Sequence, residues 1–253
     1  MTVTVFQGAG VHVTFDAGVC KHHGACMRAQ PKVFDVSRTP WIEPDQASVE
    51  QVLDAVSQCP TGALRAVRHV TGPAVDVGAL EGFVDKVRTD PSAGALTFRV
   101  MTTWQGGTAS TARTGPVTLG SESLTRSFTI NADEPRELLG EDSAPNPQEL
   151  LLAALNACMT VGYVANAAAL GLPLKGLSIR TTGTLDLRGF LGLDAAVNPG
   201  YDEVSYQVNI VSDAPPADIE ALHRHVQRTS PNFHNFARAI RMNSDLRIES
   251  EQT

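Results

Sequence analysis

Cysteine is scarce in these 253 residues: there are four, three of them before residue 60 and the last at 158. So few thiols cannot staple a chain of this length, which excludes a disulfide framework and gives the clustered three a different purpose. Positive charge is also short, with 20 Lys and Arg against 27 Asp and Glu and a formal net charge of -7. That balance excludes an electrostatic grip on phosphate backbones, which needs clustered Lys and Arg to release counterions, so no nucleic-acid partner is expected. No apolar run approaches the roughly 18 residues of a membrane span, and MTVTVFQGAGVHVTF lacks the basic flank and apolar stretch of a secretory leader. The expected setting is the cytoplasm, away from any membrane. Internal repeats and low-complexity tracts are missing as well.

What remains is the composition of a globular protein, 42% hydrophobic and 19% charged, long enough for two domains of about 100–150 residues each. Residues 10–16 alternate like a short strand, and residues 47–56 space their apolar members as a helix does. Turn-forming Thr71-Gly72-Pro73 then marks a break, and the domain boundary is placed there, giving units 1–71 and 72–253. Beyond it, Leu80, Phe83, Val84 and Val87 read as a helix, and Ala95–Trp104, Val117–Leu119 and Ser127–Asn131 as strands. Asn146–Gly171 reads as a long helix, capped by Asn146, opened by Pro147 and closed by Gly171 and Pro173. Its residues are apolar or small almost throughout, which predicts burial on most sides. Strands over Ser178–Leu187 and Val204–Asp213, a helix over Ala217–Thr229 and a last strand near Ile240–Ile248 complete an α+β pattern of antiparallel sheet around a buried central helix.

The chemistry concentrates in Cys20-Lys21-His22-His23-Gly24-Ala25-Cys26 and the distant Cys59-Pro60. This is the layout of a ferredoxin ligand run whose middle cysteine is replaced by a histidine, His23 on spacing, with the proline directing the last cysteine inward. Zinc held by three cysteines and a histidine is the rival, although zinc sites usually bring two closely spaced pairs and Cys59 has no near partner. Uncoordinated buried thiols are the third reading.

The stretch from Cys20 through Arg38-Thr39-Pro40-Trp41-Ile42 to Cys59-Pro60-Thr61-Gly62-Ala63-Leu64 resembles the divergent single-cluster 4Fe-4S ferredoxin domain, over about residues 12–68. The resemblance implies a 4Fe-4S or 3Fe-4S cluster held by Cys20, Cys26 and Cys59. In that family the histidine falls two residues after the first cysteine, which selects His22, whereas small ferredoxins with a histidine three residues on select His23.

Cys158 lies on the long helix, where a free thiol is most often inert packing; activation needs a cationic neighbour and some access. From about residue 76 to 250 the chain resembles the osmotically induced and organic-hydroperoxide-resistance proteins, through Asn146-Pro147, Glu149-Leu150-Leu151-Leu152-Ala153-Ala154-Leu155-Asn156-Ala157-Cys158, Asp186-Leu187-Arg188-Gly189 and Ser230-Pro231. The resemblance implies a homodimer intertwined about two central helices, with Cys158 as a peroxide-attacking thiol. Arg113 matches the assisting arginine, with Arg126 as rival. Gln148 occupies the family's carboxylate position and Glu149 follows it, while Ser230 replaces the second cysteine.

Serine forms no redox-active bond, so the two-cysteine cycle is broken, and a one-cysteine cycle reset by a redox partner or small thiol is expected instead. A small electrophilic or apolar substrate fits that site. The alternatives are an electron-transfer or iron–sulfur-sensing module on a non-catalytic dimerising scaffold, and persulfide transfer by Cys158. His223-Arg224-His225 is expected on a solvated helix face, His234 at the surface, and Trp41 and Trp104 in packing roles.

Overall fold

The computed structural model describes residues 3–68 and 75–249. The boundary placed near residue 72 lies outside the described residues. In the first unit β1 (Val3–Gln7) and β2 (Val11–Asp16) form a hairpin, and β3 (Leu64–Arg68) pairs antiparallel on the other side of β2. The short helix α1 (Ala25–Ala29) follows the cysteine loop, and α2 (Val49–Ser57) leads to Cys59. The start of α2 is set by Ser48, whose hydroxyl accepts from the Gln51 backbone while the Gln51 side chain accepts from the Ser48 N–H, a reciprocal cap worth about 1 kcal/mol. Val52, Ala55 and Val56 then share one face and bury against Val11, Val13, Val33, Phe34 and Ile42. Trp41 packs edge-on to Phe6 and Phe15, the packing role expected of it.

The second unit begins with α3 (Val77–Thr89). The single strand expected over Ala95–Trp104 is two, β4 (Leu96–Thr97) and β5 (Val100–Gly106), belonging to different sheets. The switch occurs at Phe98-Arg99, where the Arg99 carbonyl accepts from Gly115 N and its guanidinium donates to Thr118 Oγ1. One small sheet orders β4, β7 (Val117–Leu119) and β8 (Glu122–Leu124); another orders β5, β6 (Ala109–Thr114) and β9 (Thr129–Ala132).

The long helix α4 (Pro147–Ala169) has the expected ends: the Asn146 side chain accepts from Gln148 N while its own backbone N–H donates to the Glu149 carboxylate, and Gly171 adopts a left-handed φ of 66° at the exit. By length and composition α4 is the one described helix able to cross a membrane, which corrects the expectation that no segment reaches that mark. One stripe of it joins the second core. Leu155, Met159, Tyr163 and Ala167, four residues apart, pack on the antiparallel pair β10 (Leu174–Gly183) and β11 (Val204–Ser212) and on Leu222 and Val226 of α6 (Pro216–Thr229). The short α5 (Leu187–Phe190) and α7 (Pro231–Ala237) complete the unit.

Three expectations are corrected. Within one chain α4 is buried along a single stripe rather than on most sides, leaving Leu151, Val161 and Val164 exposed, because β10 and β11 cover only one flank. Residues 240–248 form no strand; Ile240, Met242, Leu246 and Ile248 alternate as a strand would but lie exposed with no edge to pair with. Trp104 is 73% exposed on β5, near exposed Val100 and Met101, and is held by its indole N–H donating to the Gly107 carbonyl rather than by core packing.

Candidate functional site

The cysteine loop is shaped by two left-handed residues, His22 (φ 56°) and Gly24 (φ 67°), that bracket His23 and reverse the chain between Cys20 and α1. The His22 N–H donates to Cys20 Sγ at 3.4 Å, and Arg28 Nη1 holds the loop by donating to the His23 carbonyl at 2.9 Å. Across the pocket Cys59 ends α2, with its Sγ 3.7 Å from Thr61 Oγ1. Cys20, His22, His23, Cys26 and Cys59 line one pocket, walled on its apolar sides by Phe15, Trp41 and Leu64. The loop thus brings every ligand residue named from the sequence to one place.

The electrostatics agree. Burial pushes the Cys26 thiol up, and the neighbouring Cys59 and Cys20 sulfurs add to the rise against backbone hydrogen bonds that oppose it. Burial also raises Cys59, but hydrogen bonds from the Leu64 backbone, the Thr61 hydroxyl and the Thr61 and Ala63 backbones outweigh it and hold that thiol below its usual value. Soft sulfur donors gathered in an apolar pocket with backbone N–H groups beside them suit iron–sulfur chemistry. Among the described residues no three His, Cys, Asp or Glu side chains converge on a single metal ion.

In the second unit Cys158 Sγ lies 3.5 Å from Ser230 Oγ. Ser230, 3% exposed, is fixed by capping α7 through the Phe233 N–H, so the serine named from the sequence stands in direct contact with the helix thiol. The other residues named there do not reach it. Arg113 is exposed on β6, and no residue of its sheet joins the core around α4. Arg126 stacks its guanidinium over Phe128, 4.9 Å from the ring centroid. Gln148 and Glu149 precede Cys158 by ten and nine positions on α4, about 15 Å along the axis, and the Glu149 carboxylate is engaged by the Asn146 N–H.

Two further residues differ from expectation or escape it. His223 is half-buried rather than fully solvated: its Nδ1 hydrogen-bonds the OH of buried Tyr163 at the edge of the core, and burial lowers its affinity for a proton. His234 is only partly covered, its Nε2 2.8 Å from the Arg228 carbonyl oxygen, and it does not contact Cys158. Arg180, which no local pattern singles out, donates from Nη2 to the Cys59 carbonyl at 3.1 Å and so ties β10 to the cysteine pocket. On the other side of that strand pair of contacts, Asn156 of α4 binds the Ile179 carbonyl and accepts from Thr181 Oγ1.

Comparison with known proteins finds two families in separate stretches of the chain. Residues 6–69 match the family described as divergent 4Fe-4S mono-cluster, and residues 140–245 match OsmC-like protein. The first part is 39% identical over 64 residues to the uncharacterised protein YjdI of Escherichia coli K12, covering 25% of this chain and 83% of that protein. Among solved structures, the OsmC-like protein of Mycoplasma pneumoniae is 17% identical with a TM-score of 0.45, covering 56% of this chain and 87% of that one. An organic hydroperoxide resistance protein OsmC from Legionella pneumophila is 22% identical with a TM-score of 0.36, covering 55% of this chain and 87% of that one.

Proposed function

Because the chain belongs to the divergent 4Fe-4S mono-cluster family through residues 6–69 and to the OsmC-like proteins through residues 140–245, we propose that it is a two-domain redox protein, with units 1–71 and 72–253. The observation that carries this reading is the gathering of three thiols in one pocket of the first unit. Cys20, Cys26 and Cys59 hold a 4Fe-4S or 3Fe-4S cluster, with His22 or His23 as the remaining ligand. When bound, such a cluster supplies one-electron transfer. The expected location is the cytoplasm.

The second unit contributes Cys158 as a thiol-dependent peroxidase. Its thiolate attacks the terminal oxygen of a small organic hydroperoxide; the S–O bond forms, the O–O bond breaks, and the alcohol leaves with a proton. Cys158 becomes a sulfenic acid. Ser230 fills the place from which a second thiol would attack, so a small external thiol condenses with the sulfenic acid, expelling water, and a second thiol equivalent releases Cys158 and departs in a disulfide.

The assisting residues come from a second copy. Gln148 and Glu149 are about 15 Å from Cys158 along their own helix, and Arg113 sits on a separate sheet, which supports a homodimer in which a partner copy brings them to the thiol. The exposed apolar residues of β5 (Val100, Met101, Trp104) and of α4 (Leu151, Val161, Val164) supply the surface for that pairing. One observation favours a second reading: with Ser230 against Cys158, the second unit is a dimerising scaffold for an electron-transfer or sensing module. Peroxide consumption with a small thiol separates the two. The catalytic reading requires that Cys158→Ala abolish it and that peroxide-treated wild type carry one added oxygen at Cys158; unchanged consumption in the variant selects the scaffold.

A further inference from the structure

The two units meet along a tight seam. On β3, Leu64 and Ala66 face the first core, so Arg65 and Val67 face the other way, toward β10. Gly176 of β10 is pressed against Val67; a Cβ there would come within 2.1 Å of Val67 Cγ1. Farther along β10, Arg180 lies over the bare Gly62, 3.2 Å from where a Cβ would stand, with one nitrogen donating to the Cys59 carbonyl.

Between these contacts a cavity of about 290 Å³ opens, lined by both Arg65 and Arg180 and by Thr61, Ser205, Tyr206 and Gln207. No Asp or Glu is in its lining. Arg65 Nε is buried and has no hydrogen-bond partner, and neither arginine forms an ion pair among the described residues. Arg180 is exposed at the mouth and Arg65 half-buried, so solvent screens their repulsion, but the buried Arg65 Nε without an acceptor is costly to fold around. An anion in the cavity supplies that acceptor and meets both charges.

We propose that this junction is a binding site for a phosphoryl group, either free phosphate or a small phosphate ester. Two guanidinium forks approaching from different units suit a tetrahedral oxyanion with oxygens to spare, and the Gln207 amide in the same lining supplies a further neutral donor. The cavity exceeds the size of the anion itself and accommodates the organic remainder of an ester. The ligand bridges the units beside the cysteine pocket, through Arg180 and the Cys59 carbonyl.

The test is calorimetric titration of the full-length, anaerobically purified protein at constant ionic strength with inorganic phosphate, glycerol 3-phosphate and succinate, against Arg65→Gln, Arg65→Lys and Arg180→Gln. One or both phosphates should bind, at least tenfold more weakly in each glutamine variant and less weakened in Arg65→Lys. A preference for the ester identifies the organic source, and equal binding identifies free phosphate. Among the described residues the Arg65 side chain has no hydrogen bond or ion pair to lose, so Arg65→Gln should keep or gain thermal stability without ligand. The proposal is overturned if neither phosphate binds at millimolar concentration, if succinate is preferred, or if Arg65→Gln binds phosphate as wild type does.

Discussion

Replacing Ser230 by cysteine restores the thiol that this chain lacks, and the structure sets what should follow. Cys158 Sγ and Ser230 Oγ are 3.5 Å apart, so an S–S bond of about 2.05 Å needs the side chains to close by roughly 1.5 Å, within the reach of small rotamer adjustments. The substitution has a cost. It removes the cap from Ser230 Oγ to the Phe233 N–H, about 1 kcal/mol, and puts a larger sulfur at a position that is 3% exposed, about another 1 kcal/mol. A loss of about 2 kcal/mol lowers Tm by roughly 4–8 °C for a domain of this size. After one equivalent of an alkyl hydroperoxide, wild type should hold a sulfenic acid at Cys158 that a dimedone-type reagent traps. Ser230→Cys should instead lose about two mass units, lose two free thiols and resist the trap, at a rate independent of protein concentration. If Ser230→Cys accumulates trappable sulfenic acid and no disulfide, the two positions do not meet in the working protein and the one-cysteine account fails.

Other consequences are open to measurement. His22→Ala and His23→Ala, examined separately, should perturb the visible absorption and spin-resonance spectrum in only one case, which names the imidazole at the cluster; identical spectra in both would remove histidine from the ligand set. Gly176→Val should destabilise the protein by about 1–3 kcal/mol through collision with Val67, read as a lower denaturation midpoint; an unchanged midpoint would mean that the seam does not persist in solution. Asp133, buried and accepting from Thr108, Ser143 and the backbones of Ser143 and Glu134, is held well below the ordinary carboxyl value of 3.8. Its folded value is depressed, so its stabilisation is complete above about pH 4 and is lost as pH falls below that. Asp133→Asn should therefore be less stable at neutral pH yet flatter in acid, and parallel acid titrations of both proteins by circular dichroism would contradict this.

The cysteine pocket was legible because its ligands are local: four of the five residues fall within Cys20–Cys26, and Pro60 marks the fifth at the end of an amphipathic helix whose Ser48 cap and apolar spacing are plain. The long helix was legible for the same reason, through Asn146-Pro147 and Gly171. Its burial was misjudged because composition records how apolar a helix is and not which chain covers it. Strand β6 escaped notice because Ala109-Ser110-Thr111-Ala112-Arg113-Thr114 has no apolar alternation; its pairing with β5 and β9 decides it. Residues 240–248 failed in the opposite sense, having the alternation without a partner edge. The contact of Cys158 with Ser230 spans 72 residues and was legible only through the family resemblance, while that of Arg180 with Cys59 spans 121 and leaves no periodic trace.

The claim beneath the whole account is that Cys20, Cys26 and Cys59 bind iron and inorganic sulfide together. Chemical assay of the anaerobically isolated protein for iron and acid-labile sulfide tests it most directly. Near-equal amounts of both, with brown absorption near 400 nm that is lost in Cys59→Ser, are predicted. Isolation with neither element, and with all three thiols open to alkylation while the protein stays folded, would contradict it.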